Sequence, residues 1–265
     1  MADIALTSAM RNNLVSLQLT DSLIGRTQER LSTGKKVNSP IDNPANYFAA
    51  QGHTSRANKL TALKDGMSEA IQMTKAATSA VDGISKLIES ARGIITQARQ
   101  AADPTTLEAQ YDDIMTQIDQ LALDAGYKGV NFLDSDTLDV KVGEEANSTL
   151  TLTGFDASAN AGLGISAADF STSLLMDAAE VELDDALTTL QTESATLSAN
   201  LGVLTVRQEF TTNMVNVLKT GADNLTLADM NEEAANMLAL QTQQQLGVTA
   251  LSLASQAAQS VLRLF

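Results

Sequence analysis

No charged side chain occurs between residues 234 and 262, and this run limits the fold more than any other feature of the chain. A long helix without charge has to be covered by lipid or by other protein. On a helical projection Leu246, Ala250, Leu253, Ala257, Val261 and Leu264 share one face, while Val248, Leu251, Ala258, Leu262 and Phe265 share an adjacent one. A single partner needs an apolar stripe of only about 100°, so two stripes ask for two partners. Lipid is the poorer cover. Gln241, Gln243, Gln244, Gln245, Gln256 and Gln259 would each need a hydrogen-bond partner inside hydrocarbon, and no Lys or Arg cluster sets an orientation. The expectation is burial against protein, with no membrane partner.

The beginning of the chain repeats this design. A helix is expected from residue 4 to 31, with Leu6, Met10, Leu14, Leu17, Ile24 and Leu31 on one face and Val15, Leu19 and Leu23 on another. Isolated helices of this size are marginal in water, so the two ends are expected to pair as a coiled coil and to order on assembly. Residues 32–44 form a loop, because Gly34 stops a helix and Pro40 and Pro44 exclude a continuous one. Helical spacing then runs from 45 to 102, and Asp103 before Pro104 opens a second helix ending near Asp124. Strand patterns follow at 130–133, 138–142 and 149–153. Another helix is expected over 174–220, broken at residues 221–224, with Thr226 or Asp229 capping the last one. The fold class is mainly α, with long antiparallel helical rods and a small β-hairpin region. It divides into 1–44 (terminal helix and linker), 45–125 (first half of the rod), 126–170 (β and loop), 171–222 (second half of the rod) and 223–265 (terminal helix).

Catalysis has little to work with. His53 is the single histidine and cysteine is absent, which removes His or Cys metal clusters and thiol chemistry. The acidic pairs Asp112-Asp113, Glu144-Glu145, Asp184-Asp185 and Glu232-Glu233 are sequence neighbours that project about 100° apart on a helix, so they read as solvated faces. Asp134, Ser135 and Asp136 begin like a calcium loop, but the glycine and distal glutamate are not at their offsets. With 17 basic residues against 32 acidic ones and a net charge of -15, nucleic acid is excluded as a general partner. The expectation is a protein that is not an enzyme and has no cofactor or metal. Its first residues lack the basic stretch and unbroken apolar run of a secretory signal.

Arg30, Leu31, Ser32, Thr33 and Gly34, followed by Asn38, Ser39, Pro40, Asp42, Asn43 and Pro44, resemble the signature loop of bacterial flagellins. Asp229 to Leu238, then Gln243, Leu246, Ala250, Ala254 and the ending Val261, Leu262, Arg263, Leu264, Phe265, resemble that family's terminal helix; Gly129, Val130, Asn131, Phe132 and Leu133 resemble its strand entry. The resemblance implies a structural subunit that polymerises into the flagellar filament for motility, with sibling flagellins as further partners. It implies type III export aided by an export chaperone and a filament cap, and an extracellular location. The polymerisation core would comprise Leu6, Met10, Leu14, Leu17, Ile24, Leu31, Leu246, Val248, Leu251, Leu253, Val261, Leu262, Leu264 and Phe265; the signature loop would comprise Arg30, Leu31, Gly34, Asn38, Asp42 and Pro44. Where related flagellins offer an arginine and a glutamate to Toll-like receptor 5, the matching positions here look like Ser90 and Gly93, which counts against that receptor although Arg92 and Gln97 remain. A hook-filament junction protein and a surface adhesin are the alternative readings.

Overall fold

The computed structural model describes residues 8–262, the side chains of Ala258, Val261 and Leu262 excepted. Leu6, Leu264 and Phe265 of the expected core lie outside the described residues, as do the side chains of Val261 and Leu262. In chain order the elements are α1 (Ser8–Thr33), α2 (Pro44–Ala98), α3 (Thr105–Asp124), β1 (Thr137–Lys141), β2 (Thr149–Thr153), α4 (Ser173–Thr226) and α5 (Met230–Leu262). They form two compact units, one of Met1–Arg56 with Val217–Phe265 and one of Ala57–Asn216. The unit boundaries fall inside α2 and α4 rather than at the loop positions 44 and 222 suggested by the sequence.

Local signals lie ahead of the helix starts, although at α3 Pro104 rather than Asp103 is the cap residue and the helix begins at Thr105. Before α3, the Asp103 carboxylate accepts from the Thr105 hydroxyl at 2.6 Å and the Thr105 amide at 3.1 Å, bonds that hold its carboxyl below the usual carboxylate range. Before α5, Asp229 accepts from the amides of Asn231 at 2.9 Å and Glu232 at 3.3 Å, so Asp229 rather than Thr226 is the cap. The expected break at Gly221 is absent, since α4 continues to Thr226. One glycine costs a helix only about 1 kcal/mol, and burial of Val215, Leu218 and Ala222 around it outweighs that.

Threonine is a weak helix former, yet these helices are rich in it. Its hydroxyls donate back to the carbonyl four residues earlier, as from Thr20 to Ser16 at 2.9 Å, Thr74 to Ala70 at 2.9 Å and Thr211 to Arg207 at 2.8 Å. On α4 the same bond recurs from Thr188 to Asp184, Thr192 to Thr188 and Thr196 to Thr192. The side chain thereby satisfies itself, which lets Thr20, Thr74 and Thr211 be buried.

In the unit Ala57–Asn216, buried positions on α2 recur at Met67, Ala70, Thr74, Ala77, Val81, Ile84, Ile88, Ala91, Ile95 and Ala98, and on α4 at Leu183, Leu190, Leu197 and Leu204. The three- and four-residue steps on α2 and the seven-residue steps on α4 are the heptad spacing of a coiled-coil seam. Tyr111 and Ile118 of α3 complete the core. β1 and β2 pair antiparallel from Thr137↔Thr153 to Lys141↔Thr149, turning Val140 and Leu152 into the core. The strand expected at 130–133 is instead a turn. Lys128 and Gly129 take positive φ (52° and 83°), and the Asn131 side chain donates to the carbonyls of Ala122 and Leu123 that end α3. Its apolar look came from Phe132 and Leu133, which are buried without belonging to a strand.

Residues 157–170, which contain no helix or strand, are held by side-chain carboxylates instead of a backbone ladder. Asp119 accepts from the amide of Ala159, Glu182 from Ser166, Asp112 from Ala168 and Glu108 from Phe170. Glu108, Asp112 and Asp119 lie on one side of α3, so the helix holds the segment by a row of acceptors. Beneath it the Phe170 ring packs edge-on against Tyr111 at 5.5 Å, and the Tyr111 hydroxyl, fully buried, has no partner.

Candidate functional site

The chain ends form a unit of their own, built on the helices α1 and α5. Their helices run antiparallel, and their backbones approach within 8 Å repeatedly. The shielded positions of α1 are Met10, Asn13, Leu17, Thr20, Ile24, Thr27 and Leu31; those of α5 are Glu233, Met237, Leu240, Gln244, Gly247, Leu251 and Ala254. Both series step by three and four residues, the heptad spacing of a coiled-coil seam. Small residues permit the close approach: a Cβ at Gly247 would lie 2.6 Å from Leu17 Cδ2.

This seam differs from the stripes drawn from the sequence. Met10, Leu17, Ile24, Leu31 and Leu251 are in it, whereas Leu14 is on its edge and Leu246, Val248 and Leu253 are exposed at 67%, 56% and 65%. Val15 and Leu19 on α1 and Leu238 on α5 are likewise exposed. The helix pair thus closes on Met10, Leu17, Ile24, Leu31, Met237, Leu240 and Leu251 interleaved with threonine, asparagine, glutamine, glycine and alanine, while further large apolar residues face outward. The residues missed by reasoning on the sequence are Glu233, Gln244 and Gly247. Their three- and four-residue spacing was a signal, but a search for large apolar side chains passes over it.

Glu233 also corrects the reading of the Glu232-Glu233 pair as a solvated face. Its carboxylate is buried and receives Arg30 Nη1 at 2.8 Å. Two other acidic pairs contain engaged members, Asp112 on the Ala168 amide and Asp184 on Arg92 Nη2 at 3.0 Å. His53 is half-buried on α2, and no cluster of His, Cys, Asp or Glu able to hold a metal occurs among the described residues. No helix among them is long and apolar enough to cross a membrane.

The signature loop joins the root of the pair. Gly34 has φ 70°, which ends α1, and its carbonyl accepts from the Ala228 amide at 3.0 Å. The amides of Lys36 and Val37 donate to Thr226 at 2.7 and 3.2 Å, and Asn38 Nδ2 donates to Glu29 at 2.9 Å. Asp42 closes the following turn through the amides of Ser39 at 2.9 Å and Asn38 at 3.0 Å, and Pro44 opens α2. Those amides hold the Asp42 carboxyl below the usual carboxylate range, Ser39 most strongly. Because the folded value is the depressed one, the turn has its full support above the unfolded carboxyl value of about 3.9 and loses it as pH falls through the folded value. A carbon-detected NMR titration should give Asp42 a midpoint below about 3.9, with the amide shifts of Asn38 and Ser39 moving together with it. A midpoint at or above the ordinary value would refute the assignment.

Comparison with known proteins matches the bacterial flagellin N-terminal helical region to residues 4–137 and the C-terminal helical region to residues 181–265. Flagellin FljO of Caulobacter vibrioides is 30% identical over 258 residues, covering 95% of this chain and 94% of that protein; FljK of the same organism is 31% identical with the same coverage. A flagellin of Brucella melitensis is 29% identical, covering 100% of this chain and 99% of its own length. Among solved structures, Bacillus cereus flagellin aligns at a TM-score of 0.49 and 20% identity, over 55% of this chain and 88% of that one. With two family regions flanking the hairpin and relatives matched end to end, the chain belongs to the bacterial flagellins, the structural subunits of the flagellar filament.

Proposed function

We propose that the outward apolar residues of the terminal helix pair, Val15, Leu19, Leu238, Leu246, Val248 and Leu253, are the contacts through which one copy joins its neighbours in the filament core. Leu6, Val261, Leu262, Leu264 and Phe265 extend the same role toward the chain ends. The observation that carries this reading is the second apolar face of the pair: beyond the methionine, leucine and isoleucine positions of its seam, further large aliphatic side chains face out. Exposed leucines recurring along a helix pair mark a surface awaiting a partner. Because a single helix pair is marginal in water and half of this seam is small or polar, the pair gains its full order on assembly. Slow amide exchange of α5 in filaments and fast exchange in the soluble chain is the expected signature.

The role is structural and not enzymatic. Export as an unfolded chain through the flagellar type III apparatus, with a chaperone and a filament cap as partners, and an extracellular location complete the reading. Sibling flagellins coassemble, as the occurrence of several flagellins in Caulobacter vibrioides suggests. Leu246→Asp with Leu253→Asp tests the surface. Two charges buried between copies cost several kcal/mol, so the critical concentration for polymerisation should rise at least about a hundredfold, with the circular dichroism melting of the soluble chain unchanged. Filaments forming at the wild-type concentration would sink the assignment.

A further inference from the structure

Glu233 is the only buried charged residue among the described residues. It sits at a seam position of α5, and its counter-charge comes from Arg30, 203 residues away in sequence, at 2.8 Å. We propose that Arg30 and Glu233 are a positioning pair that fixes the register in which α1 and α5 align in the assembled subunit; this rests on the filament reading above.

The rest of the seam specifies alignment weakly. Its large apolar members, such as Leu17, Ile24, Leu240 and Leu251, recur at the same heptad spacing on both helices, and Asn13, Thr20, Thr27, Gln244, Gly247 and Ala254 between them are small or polar, so a slide of seven residues keeps seam positions facing seam positions. Sliding α5 by one heptad would bring Leu240 or Ala254 to the place of Gly247 opposite Leu17. Either would put a Cβ where one at Gly247 would stand, 2.6 Å from Leu17 Cδ2, a contact that the flexible end of Leu17 has to relieve by shifting, so shape resists the slide at this one point. The same slide carries Glu233 to Leu23 or to Val37, and sets Arg30 against Leu240 or Thr226. A buried carboxylate facing an apolar residue is strongly disfavoured, so the ion pair penalises both slides, where packing resists them only through the contact of Gly247 with Leu17. A single buried polar element choosing among near-equal alignments is the best-attested use of such groups. The competing account is that the backbone bonds at the root, from Lys36 and Val37 to Thr226 and from Ala228 to Gly34, set the alignment unaided.

The absence of cysteine makes the chain suitable for cross-linking. Three full-length double variants report alignment in assembled filaments: Leu17→Cys with Gly247→Cys for the observed register, and Leu17→Cys with Leu240→Cys or with Ala254→Cys for the slid ones. Mild oxidation followed by non-reducing electrophoresis reads the intrachain disulfide. The observed-register pair should close at least about tenfold faster than either slid pair. In an Arg30→Met, Glu233→Met background, which removes both charges together, closure of a slid pair should rise about tenfold. An unchanged preference there would overturn the proposal in favour of the backbone bonds. Where that background forms no filaments, Arg30→Glu with Glu233→Arg should restore both filaments and the observed-register disulfide, and failure to restore them would equally overturn it. Intact filaments from Leu246→Asp with Leu253→Asp would instead refute the outward contacts, leaving the cross-linking result to decide register by itself.

Discussion

Deleting residues 244–265 is expected to abolish filament formation outright while leaving the unit Ala57–Asn216 folded. The deletion removes Gln244, Gly247, Leu251 and Ala254 from the seam, and with them the cover of Leu17. It also removes Leu246, Val248 and Leu253, the exposed residues assigned to contacts between copies. Both losses fall within the unit made by the chain ends, and none of the deleted residues belongs to the other unit. Sedimentation and electron microscopy should find no polymer even at concentrations about a hundredfold above the wild-type threshold, a limit corresponding to roughly 2.7 kcal/mol of lost contact energy. Circular dichroism should retain the melting transition of the helical core. Filaments grown from the shortened chain would show that the terminal helices are not the polymerisation core.

The second large effect concerns stability. Phe170→Ala should lower the unfolding free energy by about 3–5 kcal/mol, a large share of the roughly 5–15 kcal/mol typical of a domain. Phe170 is 1% exposed and packs edge-on against Tyr111. Its amide is also a donor to Glu108, so collapse of the ring site would loosen the end of the carboxylate-held segment. Tyr111→Phe provides the contrast. It removes a buried hydroxyl that has no partner and whose ionisation is pushed up by burial and by the nearby Glu182 and Asp112 carboxylates. That change should leave stability equal or higher by about 1 kcal/mol. Urea unfolding followed by circular dichroism measures both, and a Phe170→Ala loss under about 1 kcal/mol would contradict the packing account.

The helices were readable because local causes mark them: the prolines at 40 and 44, the Asp103 turn ahead of Pro104, the Asp229 cap, and long runs without a breaker. The hairpin was readable from its alternation. Segment 130–133 was not, because buried Phe132 and Leu133 imitate a strand while Asn131 and Gly129 impose a turn. At Gly221 a local penalty was mistaken for a boundary, since tertiary burial on either side decides the matter. The family signature located the important ends of the chain, but the inner and outer faces of α5 could not be separated by apolar content. An inner face that mixes Met237, Leu240 and Leu251 with glycine, alanine and glutamine is visible only when the partner helix is beside it. Glu233 is the sharpest instance, because a charge beside another charge usually marks water, and only the position of Arg30 makes burial tolerable.

The threonine hydroxyls that donate to their own helix have a consequence for how this protein meets others. A hydroxyl committed to the carbonyl four residues back offers its methyl group outward more readily than its donor, so Thr188, Thr192 and Thr196 present α4 as smoother and less thirsty than its lettering implies. Mean hydropathy, at -0.03, counts each of these residues as polar. The exposed face of α4 at these residues is therefore more apolar than the composition implies.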